Sequence, residues 1–169
     1  VGGLHPSYVH AGGGRQVDRA GYQHRVGASF APYESGGWRL LIPAIGVDHP
    51  IVALGLEPDG ALAAPTGPDE VGWYQYGPAP GSQGNVLLDG HVDRTDRSTG
   101  RPRGAVFYQL RSLGAGSQII FTDGNAQAVY QVTEHRRYRF DDPAGVEVLQ
   151  PTDDSRLTLI TCEIGRAHV

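Results

Sequence analysis

The chain has 169 residues, is 39% apolar and carries a net charge of −4, which suits one domain built on a single core. No stretch reaches the roughly 18 apolar residues that span a bilayer, no charged-then-apolar segment reads as a signal sequence, and the lack of any long run of one charge argues against a nucleic-acid-binding surface. The 25 Gly and 12 Pro residues favour short strands and turns over long helices. The chain opens at Val1 and contains no Met. It is therefore expected to begin inside a longer gene product, with room upstream for a signal or an anchor.

Residues 1–36 are rich in Gly, Arg, His and small polar side chains. They offer too little apolar surface to offset the entropy of ordering them, so the segment is expected to be a flexible linker that adds little to stability. His5, His10 and His24 lie within it and read as solvated linker residues. The pattern changes at Trp38. WRLLIP and IGVDHPIVALGL read as two short strands interrupted by Pro43 and Pro50, because Pro suits strand ends and edges. PDGALAAP reads as a turn with a short strand, and GWYQYGPAPGSQGN as aromatics leading into a Pro/Gly loop. NVLLDGHV is a strand, and DRTDRSTGRPRG, without an apolar residue, is an exposed loop. AVFYQLRSL allows a helical turn. SQIIFT and AVYQVTEHRRY are strands about a DGN turn, DPAGVEVLQPTDD allows one short helix, and RLTLITC is the last strand. Roughly seven or eight short strands with helices confined to connections point to a mainly β chain, most economically a closed barrel that leaves no sheet edge exposed.

Cys162 is the only cysteine, so it is a free thiol without an internal disulfide. Alternation in RLTLITC sets Leu157 and Leu159 on one face and Thr158, Ile160 and Cys162 on the other. A cysteine in a strand is commonly inert packing, but one at a barrel rim can meet substrate. Such a nucleophile needs a proton acceptor or cation nearby, since the thiolate is the reactive form. His91 suits that role: it closes the strand LLDGHVD and opens the long polar loop. His49, His135 and His168 read as surface, solvated and tail residues. Asp89, His91 and Asp93 alternate and can be imagined around a metal, yet with no second His close by a plain strand-end turn is the favoured reading, and no metal or cofactor is expected. Trp73, Tyr74 and Tyr76 read as a barrel layer with a wet edge rather than a ligand groove.

Taken in order, LIPAIGVDHPIVALGL, VGWYQYGPAPGSQGNVLLDGHVD, AVFYQLRSLGAGSQIIF and LTLITC resemble the sortases of Gram-positive bacteria, above all the class F and class E sortases of actinobacteria and their relatives. The likeness runs from about Leu40 to Cys162, and its most specific parts are the Gly90-His91 pair and Thr158-Leu159-Ile160-Thr161-Cys162. The resemblance implies an eight-stranded sortase barrel with short connecting helices over residues 38–162. It implies a cysteine transpeptidase that is anchored at the outer face of the cell membrane. Such enzymes cut a Leu-Pro-any-Thr-Gly-like or Leu-Ala-any-Thr-Gly-like sorting signal between Thr and Gly through a thioester. They pass the acyl group to an amine on a cell-wall precursor or a protein lysine. Its partners would be surface proteins that carry the signal and the amine acceptor. Membrane association would come only through a segment upstream of this chain. By position Cys162 is the nucleophile, His91 the acid/base and Thr161 a lesser, substrate-contacting candidate.

The family also uses an arginine on the strand after the cysteine to stabilise developing charge. Here seven residues follow Cys162. Arg166 lies too close to it, and EIGRAHV lacks the alternation of a closing strand. Residues 163–169 are accordingly read as a non-native tail, with the last strand and its arginine missing. Two other readings compete. A non-catalytic β-barrel binding module would leave the thiol and the Gly-His pair at two strand ends unexplained. A cysteine peptidase would use the same His/Cys pair, but papain-like enzymes place Cys before His, and the Ser-His-Gly-rich approach of L,D-transpeptidases is not present in TLITC.

Overall fold

The computed structural model describes residues 4–18, 23–24, 37–139 and 141–164. Eleven strands appear in chain order: β1 (Leu4–Asp18), β2 (Gln23–His24), β3 (Arg39–Ile42), β4 (Val47–Leu54), β5 (Val71–Tyr74), β6 (Gly84–Gly90), β7 (Asp93–Thr95), β8 (Pro102–Gly104), β9 (Gln118–Thr122), β10 (Ala126–Arg137) and β11 (Ser155–Ile164). The helical elements are two single 3-10 turns, Pro43–Ile45 and Leu110–Ser112, and the five-residue helix α1 (Pro143–Glu147). Asp142 caps α1 by accepting a hydrogen bond from the Ala144 N–H at 3.0 Å, one of the donors that a helix start leaves unpaired.

The sheet runs β10-β9-β3-β4-β5-β6-β11-β1, and β1 pairs in turn with β10. Eight strands thus close into a barrel, with β2 added at β1 and the β7–β8 hairpin standing apart. Closure leaves the barrel wall without a free edge. Most pairs are antiparallel, but β4–β5 and β6–β11 are parallel, and each of those needs a crossover connection. Pro50 ends the β3–β4 ladder opposite Arg39, and the β4–β5 ladder begins at the next residue, Ile51. The proline therefore sits where the strand changes partner, the place where a missing donor costs least.

The N-terminal segment departs from the sequence expectation. Residues 4–18 are not linker but β1, which pairs antiparallel with β11 (Leu4↔Ile164 to Gly12↔Arg156) and with β10 (Ser7↔Arg137 to Asp18↔Ala126). Val9 and Ala11 are fully buried. A strand seated between two others satisfies its backbone groups on both edges whatever its side chains are, and composition weighs side chains alone. The place in which the sequence reading found a strand missing is filled by this one. Strand β11 extends to Ile164, so Glu163 and Ile164 from the expected tail are part of it; residues 165–169, with Arg166, lie outside the described residues.

The interior is filled by Leu40, Ile42, Val71, Val86, Leu88, Phe107, Ile119, Phe121, Tyr130, Leu157 and Leu159 among others. Trp38 and Phe121 meet edge to face, with ring centroids 5.5 Å apart, a favoured aromatic geometry. A second, smaller apolar cluster joins Leu54, Tyr74 and Ile160 to Leu87, Val148 and Leu149. Strand β11 is consequently buried on both faces: Leu157 and Leu159 belong to the interior, and Ile160 to the second cluster.

Candidate functional site

Strands β6 and β11 lie side by side and run the same way, paired from Gly84↔Ser155 to Asp89↔Ile160. The last pair stands two residues before His91 and two residues before Cys162, and β6 itself ends at Gly90. Adjacent strands are about 4.8 Å apart. Two sequence candidates separated by 70 residues of chain thus both follow the last rung of one parallel pair. The side chain of Cys162 is outside what is described, and its place is given by the backbone.

Gly90 explains why the histidine follows a glycine. A Cβ at position 90 would lie 2.6 Å from Phe107 Cδ2 and 2.9 Å from Val106 Cγ1, closer than packed carbons approach. The barrel interior closes against the backbone there, which carries His91 to the rim. His91 is half-buried, and its Nε2 lies 2.7 Å from the carbonyl oxygen of Pro65. A carbonyl only accepts, so Nε2 carries the proton and Nδ1 is the nitrogen left to exchange one. The loop that brings Pro65 there is itself tied down. The Gly67 N–H and the Thr66 hydroxyl donate to Glu70 Oε2 at 2.8 and 3.2 Å, the Tyr74 hydroxyl donates to the Ala63 carbonyl at 2.8 Å, and the Val106 N–H donates to the Pro68 carbonyl at 3.0 Å.

Thr161 is 2% exposed and shares the face of Leu157 and Leu159, so it lines the wall behind position 162 rather than the rim. Its hydroxyl has no hydrogen-bond partner among the described residues. Thr158 on the opposite face is satisfied, donating to Asn85 Oδ1 at 2.8 Å, and Asn85 in turn donates to the Val148 and Gln150 carbonyls. That chain of bonds braces the β6–β11 pair from the outside.

Asp89 precedes the Gly-His pair. Burial pushes its carboxyl up to about 6, and the backbone N–H of Gly90 and the nearby His91 partly oppose that shift. Asp89, His91 and Asp93 do not form a metal cluster, and no group of three or more His, Cys, Asp or Glu side chains among the described residues is placed to share an ion. Trp73 and Tyr74 are buried while Tyr76 is largely exposed. The Trp73 Nε1–H donates to the Pro78 carbonyl at 3.2 Å, which fits a barrel layer with one wet residue.

Beside His91 opens a cleft of about 520 Å³ lined by His91, Asp93, Arg94, Asp96, Arg97 and Arg103, with Thr66 and Pro68 at its edge. The segment read from sequence as a bare loop builds this wall: β7 and β8 pair antiparallel from Asp93↔Gly104 to Thr95↔Pro102. The turn between them is held by Asp96, whose Oδ1 accepts from the Ser98 N–H and hydroxyl and from the Thr99 N–H. Those bonds, the Ser98 hydroxyl first, hold the Asp96 carboxyl down at about 2. Sequence reasoning passed over this wall and over the Pro65 carbonyl. The run of four arginines among residues 94–103 was the available signal for the wall. For a backbone carbonyl brought in from another loop there was no signal at all.

Residues 40–168 match the family described as Sortase domain. The chain belongs to the sortase family. No curated protein sequence matches it. Among solved structures it is similar to a lid mutant of sortase A from Corynebacterium diphtheriae, at 20% identity and a TM-score of 0.48 over 77% of this chain and 62% of that one. It is also similar to sortase C-1 from Actinomyces oris, at 20% identity and 0.42 over 77% and 66%. The pilus-related sortase C of Group B Streptococcus gives 17% identity and 0.46 over 89% and 73%. The chain covers less than two thirds of the Corynebacterium and Actinomyces proteins. In this sortase Gly90 ends β6 with His91 next in the chain, and Thr158-Leu159-Ile160-Thr161-Cys162 runs along β11.

Proposed function

We propose that this sortase is a cysteine transpeptidase with Cys162 as nucleophile and His91 as acid/base. The observation that supports this reading is the parallel register of β6 and β11, whose last pair, Asp89↔Ile160, comes two residues before His91 on one strand and two before Cys162 on the other. The Cys162 thiolate attacks the Thr carbonyl carbon of a Leu-Pro-any-Thr-Gly or Leu-Ala-any-Thr-Gly signal. The C–N bond to Gly breaks, and His91 gives its proton to the departing amine, leaving a thioester. An incoming amine then loses a proton to His91 and attacks the thioester carbon. The C–S bond breaks, the thiolate is restored and a new amide forms. Thr161 is a supporting residue of the wall rather than a substrate contact. The signal-bearing donor would be a surface protein and the acceptor a cell-wall precursor or a protein lysine. The site of action would be the outer face of the membrane, through an upstream anchor. No helix among the described residues is long and apolar enough to cross a membrane.

The test is mass spectrometry of the chain incubated with each peptide. An acyl adduct on Cys162, lost in Cys162→Ala and strongly slowed in His91→Ala, is the expected result. Release of the N-terminal fragment with no dependence on added amine would favour a peptidase, and no adduct with either peptide would overturn the reading.

A further inference from the structure

The cleft beside His91 contains two kinds of charge. Two arginines on its wall are already paired: Arg94 Nη1 lies 2.8 Å from Asp69 Oδ2, and Arg103 Nη1 lies 3.4 Å from Asp96 Oδ2. Two lining groups remain without an ion-pair partner among the described residues, and they have opposite signs: Asp93, two positions beyond His91, and the exposed Arg97 at the hairpin turn. A ligand carrying only a positive charge meets Arg97 as a like charge, and one carrying only a negative charge meets Asp93. A ligand carrying both charges is complementary to the pair.

This inference rests on the proposed transpeptidase reading. If His91 passes a proton to the departing amine and takes one from the incoming amine, the substituents of that amine must lie in the space His91 borders, which is this cleft. We propose that the cleft is the subsite for the amine acceptor and that it selects an amine that also bears a carboxylate. Asp93 draws in the ammonium form, and Arg97 holds the carboxylate, with the Arg103–Asp96 pair fixing the hairpin behind it. Arginine suits the task because its planar fork matches a carboxylate. The hairpin is fixed before ligand arrives, since three hydrogen bonds to Asp96 Oδ1 hold its turn.

The experiment follows the backbone amide resonances of the full chain by NMR during titration with three probes: glycine (both charges), glycinamide (ammonium only) and N-acetylglycine (carboxylate only). Glycine should perturb residues 91–97 at the lowest concentration. Its advantage over the other two should shrink by roughly two- to five-fold in Arg97→Gln and in Asp93→Asn, the range of one solvent-exposed charge pair, while Arg97→Lys should retain part of it. Equal response to all three probes, or a ranking unchanged in both variants, overturns the proposal. Both side chains lie at the surface of the cleft, and an unchanged thermal midpoint separates a binding effect from misfolding. Competition of glycine and glycinamide for a Cys162 thioester gives the second readout. If no thioester forms, the transpeptidase reading fails while the titration still decides the subsite. If it forms and is consumed by the amines without regard to the carboxylate, the subsite proposal fails alone.

Discussion

Strand β11 is flanked by two seams that are built differently. On the β6 side the strands run parallel, Leu157 and Leu159 enter the interior beside Val86 and Leu88, and Thr158 and Asn85 brace the outer face. On the β1 side the strands run antiparallel over nine residue pairs, with Val9 and Ala11 buried among the β1 side chains described. The first seam is a parallel pair with apolar residues of both strands in the interior, and the second is a long antiparallel backbone ladder. The candidate site lies on the first. Apolar packing fixes a register because a slip of one residue would turn the buried set outward, and a catalytic pair on adjacent strands depends on that register.

The largest expected effect comes from breaking the second seam. Removal of residues 1–18 frees the facing edges of β10 and β11 together, and should lower the thermal midpoint by on the order of 10 °C, which for a chain of this size corresponds to about 4 kcal/mol. A midpoint within two degrees of the full chain would mean that β1 contributes no support to the barrel.

Next comes a break in the first seam. Leu159 is fully buried, and Leu159→Ala should cost about 3 kcal/mol in denaturant unfolding. It should also slow acyl transfer, because its rung lies just before the site. A variant that loses this stability but transfers acyl groups at the parental rate would uncouple seam packing from site geometry.

Asp89 sharpens the comparison by showing what the site costs the seam. Its pKa is raised from 3.8 to about 6, so the folded state prefers the protonated acid. The stability that this preference represents is complete below pH 3.8 and is lost as pH rises toward about 6. Above that window the buried charge is a penalty. Asp89→Asn should therefore stabilise the chain at pH 7 by on the order of 2 kcal/mol and leave it unchanged at pH 3. Stability curves against pH that run parallel for both proteins would contradict the assignment.

Thr161 should give the smallest effect. Its buried hydroxyl lacks a partner among the described residues, so Thr161→Val, which keeps the shape, should raise stability by about 1 kcal/mol. A loss of comparable size would reveal a bond that the hydroxyl makes in solution.

The amino-acid sequence by itself determined the mainly β class, because short apolar runs punctuated by Gly and Pro leave little else. It also singled out His91 and Cys162, because a free thiol and a Gly-His pair at two strand ends are rare in combination and the surrounding runs match one family in order. Local pattern reached no further than that. Residues 4–18 read as linker because their composition is poor in apolar groups, and only the presence of β10 and β11 on either side makes them a strand. The hairpin of residues 93–104 read as bare loop, and its charged wall exists because Asp96 folds the turn and β8 returns beside β7. The Pro65 carbonyl reaches His91 across 26 positions, and β6 and β11, whose next residues lead to His91 and Cys162, meet in a parallel ladder joined by a long crossover. Apart from that local hairpin, each of these is a contact between segments distant in the chain, and such contacts are set by closure of the barrel and by burial on both faces of a strand, which no local run of residues encodes.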